Sequence, residues 1–401
     1  MLPAPTGTGP RPGVDRLLIA AAAVLLVIGS LAVWSATSGR DDLTGGDPTL
    51  YLKKQLMNIA IGTVLAVLVL AIDYRWVRLL APLVYVASVV GLALVLAVGA
   101  TINGSRSWLL ISGMSLQPAE FAKVAVITGM ALFVAERSEN AWRRRVGSVD
   151  VLGMLAIAAL PAVLILLQPD LGTMLVLAAT VFGVLTVAGV SRAWLGALAG
   201  GAIMAAVVAV QVGFLADYQV NRFLAFTDPT LDPRGAGYNT TQARIAIGNG
   251  GVFGQGLFDG SQTQSGFVPE QHTDFIFTVI GEELGLVGAG AVIALLGIVI
   301  WRALVIAVHA HDLFGRVAAA GIACWFGFQA FQNIGMCLGI MPVTGVPLPL
   351  ISYGGSSLFA GLIAIGLLLN IAHRSGQARM FGSEATRWAG PSTGRGVLVR
   401  G

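Results

Sequence analysis

The chain has 401 residues, 56% of them hydrophobic and only 11% charged. Soluble domains carry about 25% charged residues, so this composition excludes a soluble globular protein and indicates a polytopic membrane protein. The formal net charge of +4 is small, and no nucleic-acid partner is expected.

Taken in order, the chain opens with a Pro/Gly-rich stretch over 1–15, expected to be disordered. It lacks the apolar core of a cleavable signal. Ten apolar segments follow, near 16–36, 55–72, 77–99, 119–135, 149–167, 172–190, 194–215, 276–307, 317–340 and 356–372. Lipid tolerates only helices or closed barrels, and these runs lack strand alternation. The expected fold is therefore all-α, with ten transmembrane helices in one membrane domain over 16–374. The eighth segment is long enough to tilt or to leave the bilayer.

An even number of spans puts both termini on one side. One set of loops and tails holds sixteen of the 24 Lys and Arg, including Arg143, Arg144 and Arg145. That side is expected to be cytoplasmic, which turns the large loop 216–275 between the seventh and eighth helices outward. Residues 375–401, rich in Gly, Arg, Ser and Thr, are expected to form a disordered basic cytoplasmic tail. Cys324 and Cys337 lie thirteen positions apart, about 20 Å along a helix, and cannot bridge each other. The four histidines form no zinc spacing.

Polar groups mark the places where such a chain could work. Glu120 and Lys123 open the fourth segment three residues apart, on one helix face. They suit either a structural ion pair or a polar cavity wall. Arg106 could grip a phosphate with its fork of donors. Trp108 beside it is by default an interfacial anchor. Asp170, in Gln168-Pro169-Asp170, suits a turn that caps the next helix.

The long loop is the strongest functional candidate, because a loop of that length is uncommon unless it works. It carries Arg222, Arg234 and Arg244, the run Gly248-Asn249-Gly250-Gly251, His272 and Asp274. The glycines and arginines could cradle a phosphate, although the P-loop pattern is absent. Asp274 could cap the eighth helix or act as a carboxylate at the membrane edge. Beyond it, one of Glu282 and Glu283 must face protein or water.

Together, Arg106-Ser107-Trp108, Gln117-Pro118-Ala119-Glu120 with Lys123, Gln168 to Thr173, Pro269 to Phe277, Gly281 to Gly285 and Pro347 to Ser356 resemble the shape, elongation, division and sporulation (SEDS) family. The resemblance covers about residues 16–374. Within it, Gly345-Val346-Pro347-Leu348-Pro349 looks more like the elongation member RodA than the division member FtsW. Ser107 stands where a second basic residue is common, and Ala119 where Ser is common.

The resemblance implies a peptidoglycan glycosyltransferase of the bacterial cell membrane that polymerises lipid II, with its active face outward. It implies a class B penicillin-binding protein as partner and a divalent cation, Mg or Mn, at an unknown site. It makes Asp274 the essential carboxylate and has Glu120 and Lys123 line the central cavity. Chemically, Asp274 would serve as base while an acceptor hydroxyl inverts the donor anomeric carbon. Arg106, Lys123, Arg222 and Arg244 are candidate diphosphate binders, with Trp108, Glu120 and Glu282 as further substrate contacts. A lipid II flippase and a non-catalytic scaffold for the penicillin-binding protein are the competing expectations.

Overall fold

A computed structural model describes residues 15–102, 105–111, 114–139, 146–213 and 235–388, with 222, 226, 228 and 232 between them. The expectations for 1–14, Arg143 to Arg145, Arg234 and 389–401 fall outside these residues.

Among the described residues ten helices are long and apolar enough to cross a membrane. They are α1 (Arg16–Ser38), α3 (Leu50–Ala71), α4 (Tyr74–Val98), α5 (Pro118–Glu139), α6 (Ser148–Leu166), α7 (Leu171–Ala188), α8 (Arg192–Gln211), α12 (Gly285–His309), α13 (Leu313–Leu338) and α14 (Gly355–Trp388). Among the described residues four short helices lie between them: α2 (Asp41–Thr44), α9 (Ala236–Asn249), α10 (Ser261–Ser265) and α11 (Ile276–Glu283). The ten apolar segments of the sequence thus become ten helices.

Burial sorts the helices into layers. In α5, α13 and α14, 72–78% of the spanning window is buried, whereas α8 buries none of its window. The inner three form the core and α8 is a peripheral, lipid-facing helix. Lipid offers little hydrophobic drive between helices, so close approach relies on small residues. At Gly366 of α14, an added Cβ would stand 2.5 Å from the Ala66 carbonyl oxygen of α3. Polar clasps complete the packing. The Asn370 amide donates to the Val69 and Ile72 carbonyls at 2.9 and 2.8 Å, closing the end of α3.

Three features refine the expected outline. The segment 100–118 is not a plain loop: β1 (Ala100–Ile102), β2 (Ser105–Ile111) and β3 (Met114–Leu116) form a small antiparallel sheet in the order β1-β2-β3. The eighth apolar segment is not one long tilted helix. It breaks into α11 and α12 at Leu284 and Gly285, where Gly285 has φ +64°. The backbone of 251–256 docks at the break. Gln255 and Gly256 donate to the Glu282 and Glu283 carbonyls, and Leu286 donates to Gly251 O. Finally, α14 runs on to Trp388, through residues expected to be disordered. Ala378, Arg379, Met380, Glu384 and Ala385 are good helix formers, and no proline interrupts before Pro391.

Contacts define the two ends of the bundle. At one end Asp15 pairs with Arg302 at 2.6 Å, and the His311 backbone N–H donates to Ser375. The start of α1 and the membrane portion of α14 therefore finish at the same end. Arg222, the β-sheet and the 341–354 connection meet at the other.

Candidate functional site

A cavity of about 510 Å³ opens at the loop end of the bundle. Gln117, Asp170 and Ser356 line it, and each sits at the first turn of α5, α7 or α14. Three helix N-termini therefore converge on the cavity, and their exposed N–H groups favour an anion there. Close backbone approach makes the convergence possible. At Gly172 an added Cβ would lie 2.4 Å from the Thr344 carbonyl oxygen.

Asp274 enters from the loop before α11. Its backbone N–H donates to Glu270 O at 3.0 Å, and its carbonyl accepts from the Asn333 amide of α13 at 2.6 Å. The same amide nitrogen holds Val346 O at 2.7 Å, so one side chain fixes the loop carrying Asp274 to the loop carrying Gly345. The carboxylate faces Gly345, where an added Cβ would stand 3.2 Å from Oδ2. It makes no hydrogen bond among the described residues, and it does not cap α11. The residue in the cap position is Phe275, without a side-chain bond.

Burial pushes the Asp274 carboxyl up to about 7, helped by the negative charges of Glu270 and Asp170 and opposed by Arg222. Glu270 and Arg222 line the same cavity. A carboxylate poised near neutrality, uncommitted to a structural bond and only partly covered, has the properties of a general base.

Asp170 is the second acid. Burial raises its pKa, yet it is tied down. It accepts from the Thr173 N–H and hydroxyl at 3.0 and 2.9 Å and from the Gln117 amide at 3.1 Å. His272 sits behind the wall, edge-on to Tyr51 and tilted against Tyr353, and burial lowers its pKa. Tyr353 itself lines the cavity.

Comparison with known proteins decides the family. A family model described as "cell cycle protein", which takes its name from FtsW, RodA and SpoVE, matches residues 15–377. The chain belongs to this family, the SEDS proteins. It is similar to stage V sporulation protein E of Bacillus subtilis, 37% identical over 90% of this chain and 97% of the relative. The peptidoglycan glycosyltransferase MrdB of Escherichia coli K12 is 38% identical over 90% and 94%. Among solved structures, a chain of a peptidoglycan synthase complex matches with TM-score 0.75 and 32% identity over 91% and 99%. RodA of Thermus thermophilus matches with TM-score 0.66 and 31% identity over 90% and 97%.

Of the residues singled out in this SEDS sequence, Asp274, Arg222 and Trp108 meet at the cavity. Asp170 lines it as well, whereas Arg106, Glu120, Lys123, Arg244 and Glu282 do not. Glu120 and Lys123 are almost wholly buried beneath it and pair at 2.8 Å. Lys123 also donates to Gln329 Oε1 at 2.8 Å and lies 4.9 Å from the Trp325 ring centre. The Gln329 amide in turn donates to Pro347 O at 2.8 Å. The pair thus pins α5 to α13 and to the loop that forms one cavity wall.

Arg106 turns away and donates to Gly99 O and Ala97 O, both at 3.0 Å. It clamps the end of α4, where a cation suits the helix C-terminus. Arg244 is exposed on α9. Glu282 is buried and accepts from the Gln262 and Thr263 N–H groups at 2.7 and 2.8 Å, satisfying the start of α10. The glycine run packs rather than cradles. An added Cβ at Gly250 would overlap Gly281 O of α11.

The sequence reading missed Gln117, Glu270 and Tyr353 as lining groups and gave Asp170 only a cap role. One signal was available. Three of the quoted motifs each end at the start of an apolar segment, which brings their first residues to one end of the bundle.

Proposed function

We propose that the chain is a peptidoglycan glycosyltransferase that polymerises lipid II, with Asp274 as its base. The observation that carries this is a carboxylate held near neutrality, without a hydrogen bond among the described residues, facing a cavity that sits on an apolar bundle. An acceptor sugar hydroxyl attacks the donor anomeric carbon as its proton passes to Asp274. The anomeric carbon–oxygen bond to the diphosphate breaks on the opposite face, which inverts the centre and gives a β-linkage. The lipid diphosphate leaves with the bonding pair. Arg222 and the N-termini of α5, α7 and α14 supply positive potential for that charge. Trp108 and Tyr353 offer flat faces to a sugar ring. Glu120, Lys123, Arg106, Arg244 and Glu282 act through the scaffold instead of touching substrate.

Among the described residues no group of three or more His, Cys, Asp and Glu is placed to hold a metal ion. A protein-built metal cage is therefore not part of this proposal. A Mg²⁺ or Mn²⁺ that supports activity would arrive with the diphosphate, since such ions keep water and phosphate ligands. The proton transfer assigned to Asp274 does not depend on it.

Arginine distribution supports cytoplasmic termini and a loop end that faces outward. The related peptidoglycan synthase complex supports a class B penicillin-binding protein as partner, and Pro347 favours the elongation branch. The test is polymerisation of lipid II by purified protein in detergent, where no bilayer separates two compartments. Glycan strands are expected. Protein that moves lipid II across vesicles but makes no polymer in either setting would overturn the proposal in favour of a flippase.

A further inference from the structure

A second cleft, of about 300 Å³, lies at the opposite end of the bundle, where the membrane portion of the chain begins and ends. The first turn of α4, the linker before α13 and the 371–375 stretch of α14 enclose it. Arg75, Arg78 and Arg374 line it, together with His311, Tyr74 and Asp312. The one acid among the described lining residues is committed. Asp312 accepts from the Tyr74 hydroxyl at 2.5 Å and the Gly315 N–H at 3.0 Å, and pairs with Arg78 at 3.6 Å. Arg75 and Arg374 are exposed and make no ion pair among the described residues. Arginines scattered along the membrane edge would satisfy topology equally well. Here they come from elements about 300 residues apart and enter one concavity.

We propose that this cleft binds the phosphate head group of an anionic phospholipid. Arg75 and Arg374 take the phosphate, and Arg78 holds Asp312 out of its way. The acyl chains have a path beside Arg75. Leu79, Leu83, Val86 and Val90 continue down α4, all more than half exposed. A free phosphate compound shares the head-group chemistry but has no use for that apolar stripe. The lipid would tie α4 to α14, two helices that meet little elsewhere.

Native mass spectrometry of the full chain in detergent tests this, with phosphatidylglycerol, phosphatidylcholine and inorganic phosphate as probes. The tightest phosphatidylglycerol is expected to bind about thirty-fold more weakly to R75A/R374A, from about 1 kcal/mol per arginine. R75K/R374K, which keeps the charge, should retain most of the binding. R192A/R316A removes the same charge outside the cleft and should bind as the parent does. Lipid II polymerisation, and the unfolding midpoint in lipid-free detergent, should be unchanged in all three, as these residues lie far from Asp274. If the double alanine variant does not fold, single Gln variants at Arg75 and Arg374 should each cost about five-fold. Undiminished binding by R75A/R374A, an equal loss in R192A/R316A, or phosphatidylcholine bound as tightly would overturn the proposal. Inorganic phosphate displacing the lipid at matching concentration would reassign the cleft to a soluble ligand.

Discussion

Replacing Lys123 with methionine separates a structural ion pair from a substrate contact. Lys123 Nζ has partners at 2.8 Å in Glu120 and Gln329, and it approaches the Trp325 ring. Both charged residues are at most 1% exposed. Methionine keeps the volume but leaves Glu120 buried without its cation, and one Glu120 oxygen already has no hydrogen-bond partner. Removing one member of such a pair costs about 3–5 kcal/mol. Removing both, as in E120Q/K123M, is expected to restore most of that loss, because replacing an entire buried pair is often close to neutral. Chemical denaturation in mixed micelles reads the two losses, and the same samples are assayed for polymerisation at a temperature where each is folded. K123M should be unstable, whereas the double variant should recover both stability and a substantial share of activity. A folded K123M of parental stability that makes no polymer would refute the structural assignment and return Lys123 to the substrate.

Three further outcomes follow from the same geometry. The Asp274 carboxyl stands at about 7 against an ordinary 3.8, so the folded chain binds more protons than the unfolded chain between those values. Stability is therefore greatest below about pH 4 as far as this group is concerned, and up to about 4 kcal/mol is lost as pH rises to 7; D274N should flatten that slope in denaturation curves. Polymerisation should rise through the same region as the base deprotonates, and a pH–rate profile without a limb near 7 would contradict the assignment. R222A removes the charge that opposes the rise, so its limb should move to higher pH while kcat/KM falls about ten- to hundred-fold. E282Q should destabilise the loop by about 1–3 kcal/mol without moving the limb; a moved limb would place Glu282 at the chemistry after all.

The membrane helices were readable because apolar length is a strong, local signal. The break at Gly285 was not, because its cause lies elsewhere. Gly254 and Gly256 bring a loop backbone onto the end of α11, and a glycine within an apolar run gives no hint of that. The small β-sheet escaped for a related reason. Two of its three strands span only three residues, too few for alternation to register. Asp274 was legible from its motif, but its role as a cap or as a base depended on whether it met the next helix end, a matter of one residue. Arg106 and Lys123 carry the right charge for a phosphate. Only three-dimensional placement shows that backbone carbonyls and Glu120 already occupy them. Asp170 shows the converse, a cap that also faces the cavity.

The central claim is that one carboxylate takes the proton. Its most direct test is the initial rate of glycan formation from lipid II by D274N beside the parent, both purified in the same detergent and matched for unfolding midpoint. Loss of about 10²–10⁴-fold, the usual share of a general base, is expected, with lipid II still bound. A folded D274N that polymerises at the parental rate would contradict the account.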